Sequence, residues 1–157
     1  MQPATAHRSL PGWLKPANRL VVALQRLGMS MGTIHTLTVP GRVTGTMHTT
    51  PVSLMVVDSA RYIVGGMADA DWVKNVRAAG WGIIAYGRRR ERATLIELSV
   101  EERAAILRDF PRLVPAGVSF FRRLYDLPSD QAALPDAFAS LATQATVFCI
   151  VSATSEP

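Results

Sequence analysis

The residues best suited to binding a ligand lie in the stretch LTVPGRVTGTMHTTPV, residues 37–52. Gly41 and Gly45 let the backbone approach a ligand closely, and the exposed N–H groups of such a turn can form an anion-binding concavity. Arg42 supplies a permanent positive charge with several hydrogen-bond donors. Hydroxyl groups follow at Thr44, Thr49 and Thr50. Since no acid occurs from residue 37 to residue 49, the turn is a candidate phosphate or carboxylate site, with a solvated surface hairpin as the alternative.

The usual catalytic motifs are missing from this sequence. It contains no GxSxG elbow, no GxxxxGK[ST] phosphate loop and no GxGxxG fingerprint. Its histidines, at positions 7, 35 and 48, are not spaced as metal ligands, so we expect no metal. The single cysteine, Cys149, excludes an internal disulfide. We therefore assign no catalytic residue and expect a bound cofactor to carry the difficult chemistry.

Composition narrows the class of protein and its partners. The chain has 157 residues, 48% of them hydrophobic and 18% charged, with a net charge of +5. That length predicts one domain with a real core. The positive charge suits an anionic small molecule or lipid, whereas the low charged fraction argues against nucleic acid. No apolar run is long enough to cross a bilayer, and the N-terminus lacks the apolar region of a signal peptide, so we predict a cytoplasmic protein.

The hydrophobic pattern predicts short strands with short helices between them. The six strand-like runs are residues 33–39, 50–57, 61–66, 81–87, 92–98 and 146–153. The four helical stretches are residues 16–28, 69–80, 99–110 and 117–127, followed by a Pro- and Ala-rich connection. Ser99 and Glu102 have the spacing of a capping box. The basic run GRRRER, residues 87–92, is either a solvated hairpin tip or a basic rim for a ligand. This order indicates an α+β protein built on a small antiparallel barrel.

Three blocks in this order resemble a known family: LTVPGRVTGTMHTTPV, then RYIVGG, then DWVKNVRAAG. Together they are similar to the actinobacterial deazaflavin-dependent nitroreductases and quinone reductases, over about residues 34–103. These are split β-barrel proteins related to flavin and pyridoxamine-phosphate oxidases. The resemblance implies a split antiparallel β-barrel of about six strands that binds coenzyme F420, an 8-hydroxy-5-deazaflavin. It also implies hydride transfer from the reduced coenzyme to a quinone, a nitroaromatic or another activated unsaturated acceptor.

The predicted helices and strands, together with the matched blocks, indicate a domain plan. Residues 1–157 form a single split-barrel domain in which residues 1–32 are an N-terminal helical arm. The cofactor-binding barrel core is then residues 33–98, the helical region is residues 99–144, and the closing strand is residues 145–153.

The family motifs can be carried over to this chain residue by residue. The family turn reads Gly-Arg-Lys-Ser/Thr-Gly with a second arginine three residues later, and here Val43 and His48 replace the lysine and that arginine. Trp72 and Asn75 match the helix motif Trp-x-x-Asn, and the i, i+3 spacing places them on one helix face. The resemblance places these residues at the cofactor: Arg42, Val43, Thr44, Gly45, His48, Thr50, Pro51, Gly65, Gly66, Met67, Trp72 and Asn75. It leaves Trp13, Phe121 and Tyr125 as candidates for the substrate pocket.

Several alternatives stay open from the sequence. Within the fold, FMN has a phosphate that would also need Arg42 and the hydroxyl groups. A non-catalytic carrier of a hydrophobic or tetrapyrrole-like ligand would use the same barrel groove without turnover. The basic and apolar stretches 16–28 and FFRRL also suit peripheral membrane contact, although packing onto the barrel explains them as well. We expect a small-molecule hydride acceptor as the partner and either a monomer or a homodimer.

Overall fold

The computed structural model of this chain describes residues 33–153 together with Arg19. Six antiparallel strands form a closed barrel in the order β1-β2-β3-β6-β5-β4. Their bounds are β1 Ile34–Pro40, β2 Met47–Val57, β3 Ala60–Gly65, β4 Trp81–Tyr86, β5 Arg89–Glu97 and β6 Thr146–Ser152. The predicted antiparallel barrel of six strands is confirmed. The helix predicted over residues 16–28 lies outside the described residues, apart from Arg19.

Four helices accompany the barrel within the described residues: α1 Asp71–Ala79, α2 Val100–Leu113, α3 Val118–Leu124 and α4 Leu134–Ala139. The first three correspond to predicted helices, and α2 begins with the predicted capping box of Ser99 and Glu102. The fourth lies in the stretch that we predicted as a connection. It forms because Leu134 and Phe138, one turn apart, are both buried, with a proline in the first turn. None of these helices is long and apolar enough to cross a membrane.

The barrel interior is one apolar core, and α1 closes one end of it. Val73 and Val76 of α1 are fully buried against this core. The strand side chains that fill the interior are Leu37, Val39, Val52, Leu54, Ile63, Ile84, Ala93, Leu95, Phe148 and Ile150. Gly82 is required here, because a Cβ at this position would lie 2.6 Å from the Leu37 side chain. The backbone of β4 therefore packs closely against the Leu37 side chain of β1 in this core.

A second core lies between the outer face of the barrel and helices α2, α3 and α4. Because side chains alternate along a strand, Ile63 faces the interior while Val64 faces these helices. The outer core contains Met55, Val64, Ile106, Leu107, Phe110, Phe121, Leu134, Phe138 and Val147. Strands β2, β3 and β6 are thus buried on both faces, which fixes the ends of these strands relative to the helices.

A polar cluster lies at the end of the barrel that is opposite to α1. Both Glu91 carboxylate oxygens accept hydrogen bonds from the Arg61 guanidinium, at 2.8 and 2.7 Å, and Ser152 also bonds this carboxylate at 2.6 Å. The hydrogen bonds from Arg61 and Ser152 lower the pKa of Glu91 to about 2.

The basic run GRRRER, residues 87–92, is only partly a hairpin tip. The turn ends before Arg89, where β5 begins. The predicted solvated tip is therefore limited to the first two residues of that run.

The Arg61–Glu91 pair predicts a pH-dependent stability. We expect Glu91→Gln to lower the free energy of unfolding by about 1 kcal/mol at pH 7, since about a third of each side chain is exposed and solvent weakens the pair. Folding lowers the pKa of this carboxyl from 4.5 to about 2, so its contribution is complete above pH 4.5 and is lost towards pH 2. Urea denaturation of both proteins measures the difference. A difference that stays constant from pH 7 to pH 2.5 would contradict the assignment.

Candidate functional site

Helix α1 joins the β1–β2 turn to the end of β3. On one side, Asn75 of α1 accepts two hydrogen bonds from Arg42 in the turn, at 3.2 and 2.8 Å. On the other side, the Trp72 ring lies over Gly65, where an added Cβ would be 2.9 Å from it. The three sequence blocks that carry the family resemblance therefore meet at one end of the barrel. We name this region, residues 41–46, 65–67 and 71–75, the α1 site.

The turn presents donors to solvent. The Gly41 N–H bonds the Thr46 carbonyl at 2.8 Å, and the Gly45 N–H, with φ of 75°, bonds the Gly41 carbonyl at 2.9 Å. Within the described part of the chain, no acceptor bonds the backbone N–H of Val43 or Thr44. Both residues are exposed. The turn thus offers two neutral backbone donors to an anion, whereas the Thr44 hydroxyl already donates to the Thr46 hydroxyl at 3.0 Å.

His48 lies against this turn rather than away from it. A Cβ at Gly41 would lie 3.0 Å from His48 Nε2 and 3.3 Å from the Thr46 carbonyl oxygen. A side chain at position 41 would therefore crowd the imidazole and the Thr46 carbonyl, so glycine suits this position. Val43 is 88% exposed and adds no polar group. Of Val43 and His48, the histidine is therefore the residue whose side chain lies beside Gly41.

Arg42 has protein partners on α1. Its Nη2 lies 3.1 Å from the Asp71 carboxylate, and its Nη1 donates to the Asn75 side chain at 2.8 Å. Asn75 is 7% exposed, whereas the Asp71 side chain is 87% exposed. The segment around Arg42 contains no acid in sequence, but the fold brings one to it in space.

Side chains from α3 and the residue after it cover the end of β3. An added Cβ at Gly66 would lie 2.9 Å from the Phe120 ring and 3.0 Å from Leu124. The Tyr125 hydroxyl donates to the Gly66 carbonyl at 2.5 Å. Burial, with a contribution from Asp69, raises the pKa of Tyr125 to about 12. Tyr125 therefore keeps its proton at neutral pH and ties the end of α3 to the end of β3.

The remaining predicted residues occupy different positions. Thr50 and Pro51 are half-buried on β2, opposite Leu37 and Thr36 of β1. Met67 is half-buried, and its carbonyl accepts a bond from the Ala70 N–H at 3.2 Å. Among the substrate-pocket candidates, Phe121 is 3% exposed and its ring packs in the outer core against Phe110 and Phe138. Trp13 lies outside the described residues.

Sequence reasoning missed Asp71, Phe120 and Leu124. Asp71 was interpreted only as the acidic start of a helix, because nothing in the sequence indicates that this helix packs beside Arg42. The i, i+4 spacing of Phe120 and Leu124 places them on one helix face and is the signal that identifies their shared contact with Gly66.

A charged network holds α1 from its other side. Arg77 of α1 pairs with Glu97 of β5 at 2.6 Å and donates to the Ala68 carbonyl at 2.8 Å. Arg103 of α2 pairs with the same carboxylate at 2.7 Å. The hydrogen bond from Arg77 is the largest cause that lowers the pKa of Glu97. The strand, both helices and the segment after β3 are thus fixed to one another around a single carboxylate.

The buried Asn75 amide should stabilise the α1 site measurably. We expect Asn75→Ala to lower the free energy of unfolding by about 1–2 kcal/mol, because Arg42 loses its buried acceptor and the better helix propensity of alanine offsets only part of that loss. Gln131→Ala, which removes an exposed amide elsewhere, should change it by less than about 0.5 kcal/mol. Urea denaturation distinguishes the two variants. Equal midpoints would mean that Asn75 does not anchor the turn.

Comparisons with solved structures show the fold. A protein described only as a domain-swapped dimer is 17% identical, with a TM-score of 0.53, over 88% of this chain and 96% of that one. The F420-H2 dependent reductase FDR-A is 19% identical, with a TM-score of 0.50, over 75% of this chain and 93% of that one. Protein Atu2129 from Agrobacterium tumefaciens, of unknown function, is 14% identical, with a TM-score of 0.52, over 97% of this chain and 59% of that one. No curated protein matches the chain.

The family is established by a family model rather than by these structures. The model of the F420H(2)-dependent quinone reductases matches residues 19–122, a segment that includes the turn, the end of β3 and all of α1. That segment is 104 of the 157 residues. The resemblance predicted from the three sequence blocks is confirmed. The chain belongs to the F420H(2)-dependent quinone reductase family and is an oxidoreductase whose coenzyme is F420.

Proposed function

We propose that this protein uses the α1 site to reduce a small quinone, with nitroaromatics and other activated unsaturated compounds as further acceptors. The observation that carries the proposal is the meeting of the turn, the end of β3 and helix α1 through the contacts of Asn75 and Trp72. When bound, the reduced deazaflavin supplies the hydride from its C5 atom. The chain itself binds the coenzyme, orients it and presents the acceptor to it.

The residues of the α1 site fit the two chemically different parts of this coenzyme. The exposed N–H groups of Val43 and Thr44 are donors of the kind that bind a phosphate. At the end of β3, the closely packed surface around Gly66 is apolar and aromatic, as a flat ring requires. The polar donors therefore suit the tail, and the apolar surface suits the deazaflavin ring.

The apolar cover of this site favours a planar acceptor of low polarity. Phe120 is half-buried and lies beside Gly66 together with Leu124. The Tyr125 hydroxyl donates a hydrogen bond to the Gly66 carbonyl, so its proton is not directed at an acceptor molecule. We assign Tyr125 a positioning role and propose that water delivers the proton that completes the reduction. A quinone or nitroaromatic ring can be held by aromatic contacts alone.

Binding of the ring tests the position of the site. In a fluorescence titration, coenzyme F420 should bind more tightly than FMN, and Trp72→Leu should weaken its binding about 5- to 10-fold, or 1.0–1.4 kcal/mol. Trp81→Leu is the matched control, because Trp81 is also half-buried but its ring packs under Arg92 at 3.9 Å on the outer face of the barrel. That control should change the affinity by less than about 2-fold. Tighter binding of FMN, or equal effects of the two substitutions, would contradict the proposed site.

A turnover assay distinguishes a quinone reductase from a protein that only binds the coenzyme. With reduced coenzyme F420 and a menadione-like quinone, the protein should oxidise the coenzyme faster than buffer does, as followed by absorbance. Nitroaromatic and enone compounds serve as parallel acceptors. A protein that binds the coenzyme but turns over none of these acceptors would exclude the proposed substrate class and support the carrier hypothesis.

A further inference from the structure

The charge of the turn is balanced by one carboxylate. Arg42 is the only lysine or arginine from residue 33 to residue 57. Its Nη2 lies 3.1 Å from Asp71 Oδ1, and its Nη1 lies 3.4 Å from the Asp71 carbonyl oxygen. The pair therefore carries no net charge. The other donors of the turn, the N–H groups of Val43 and Thr44, are neutral.

The position of Asp71 follows from the geometry of α1. Asp71 is the first residue of this helix, and Asn75 lies four residues later, so both side chains reach the same arginine. Asn75 is buried and fixes the guanidinium against the helix, while the Asp71 carboxylate stays almost fully exposed. An exposed pair contributes little to stability, so Asp71 is not needed to fold the turn. Its carboxylate does, however, lie beside the Arg42 guanidinium, the charged donor that an anionic ligand would approach.

We propose that Asp71 is a specificity-determining residue for the tail of the coenzyme. By pairing with Arg42, it makes the affinity nearly independent of whether the deazaflavin carries an anionic phosphate-and-glutamate tail or ends in an uncharged ribityl group. The inference rests on the function proposed above, because it concerns the same site. Val43 and His48 strengthen it, since neither of these neighbouring residues supplies a permanent positive charge that could replace Arg42.

The physical basis is competition between two anions for one guanidinium. A phosphate that bonds Arg42 must displace Asp71 or accept its repulsion at close range. Two unit charges about 4 Å apart in water interact by about 1 kcal/mol, which is about 5-fold in affinity. Removing the carboxylate should therefore restore a preference for the tail without touching any contact with the ring.

Binding affinities of two ligands test this inference without reference to turnover. The ligands are coenzyme F420 with its tail and the corresponding 8-hydroxy-5-deazaflavin riboside without phosphate. In fluorescence titrations at low salt, the wild-type protein should bind the two within about 3-fold of each other. Asp71→Asn should tighten binding of the tailed coenzyme about 5-fold and leave the riboside unchanged. Asp58→Asn is the control, because it removes an equal exposed charge at the opposite end of the barrel. Asp58 has a φ of 49°, which asparagine also adopts readily, so this substitution should change neither affinity.

A double-mutant cycle then assigns the effect to Arg42. In the Asp71→Asn background, Arg42→Met should weaken binding of the tailed coenzyme about 10-fold, so that the double variant, which lacks both charges, again binds the tailed coenzyme and the riboside within about 3-fold of each other. The inference is overturned if the wild type binds the tailed coenzyme more than about 10-fold tighter than the riboside and Asp71→Asn does not change that ratio. This result would leave the proposed function intact. Failure to bind either ligand would overturn both.

Discussion

The buried side-chain carbonyl of Asn75 is the contact on which the geometry of the α1 site depends. It accepts bonds from both the backbone and the guanidinium of Arg42, and it is 7% exposed. A buried acceptor of this kind is costly to leave unpaired, so the turn is held to the helix rather than resting beside it. Because Trp72 of the same helix packs on Gly65, the turn and the end of β3 are positioned by one rigid element. Two segments that are distant in sequence thereby become parts of one surface.

The helix can serve this purpose because it is itself fixed to the barrel by a buried apolar face and by an ion pair. Val73 and Val76 are buried in the end of the barrel. Arg77 binds Glu97, which Arg103 of α2 also binds, so the barrel and the outer helices share one carboxylate. The fold therefore supplies a rigid scaffold, and the exposed turn and the end of β3 carry the chemical variation. This division is common in proteins whose binding residues lie on loops of a rigid barrel.

Much of the fold was predictable from the sequence, because alternating apolar residues and turn signals mark each strand independently of the others. The blocks of the site were predictable only through the family resemblance. The pairing of Arg42 with Asp71 was not, since residues 29 apart become neighbours only when α1 folds back across the barrel end. Phe121 and Phe120 are adjacent aromatic residues, yet one is in the outer core and the other lies beside Gly66. Which of the two faces the outer core depends on the rotation of α3 about its axis, and hydrophobicity alone does not specify that rotation.

The most direct test of the central claim, that the three segments form one coenzyme site, is amide hydrogen exchange with and without coenzyme F420. If the claim is correct, binding slows exchange together in residues 41–46, in residues 65–67 and in α1, because these segments are joined through Asn75 and Trp72. The β4–β5 turn at Gly87 and Arg88 should exchange at the same rate in both samples. Protection at that turn and β5, with none in the α1 site, would contradict the account.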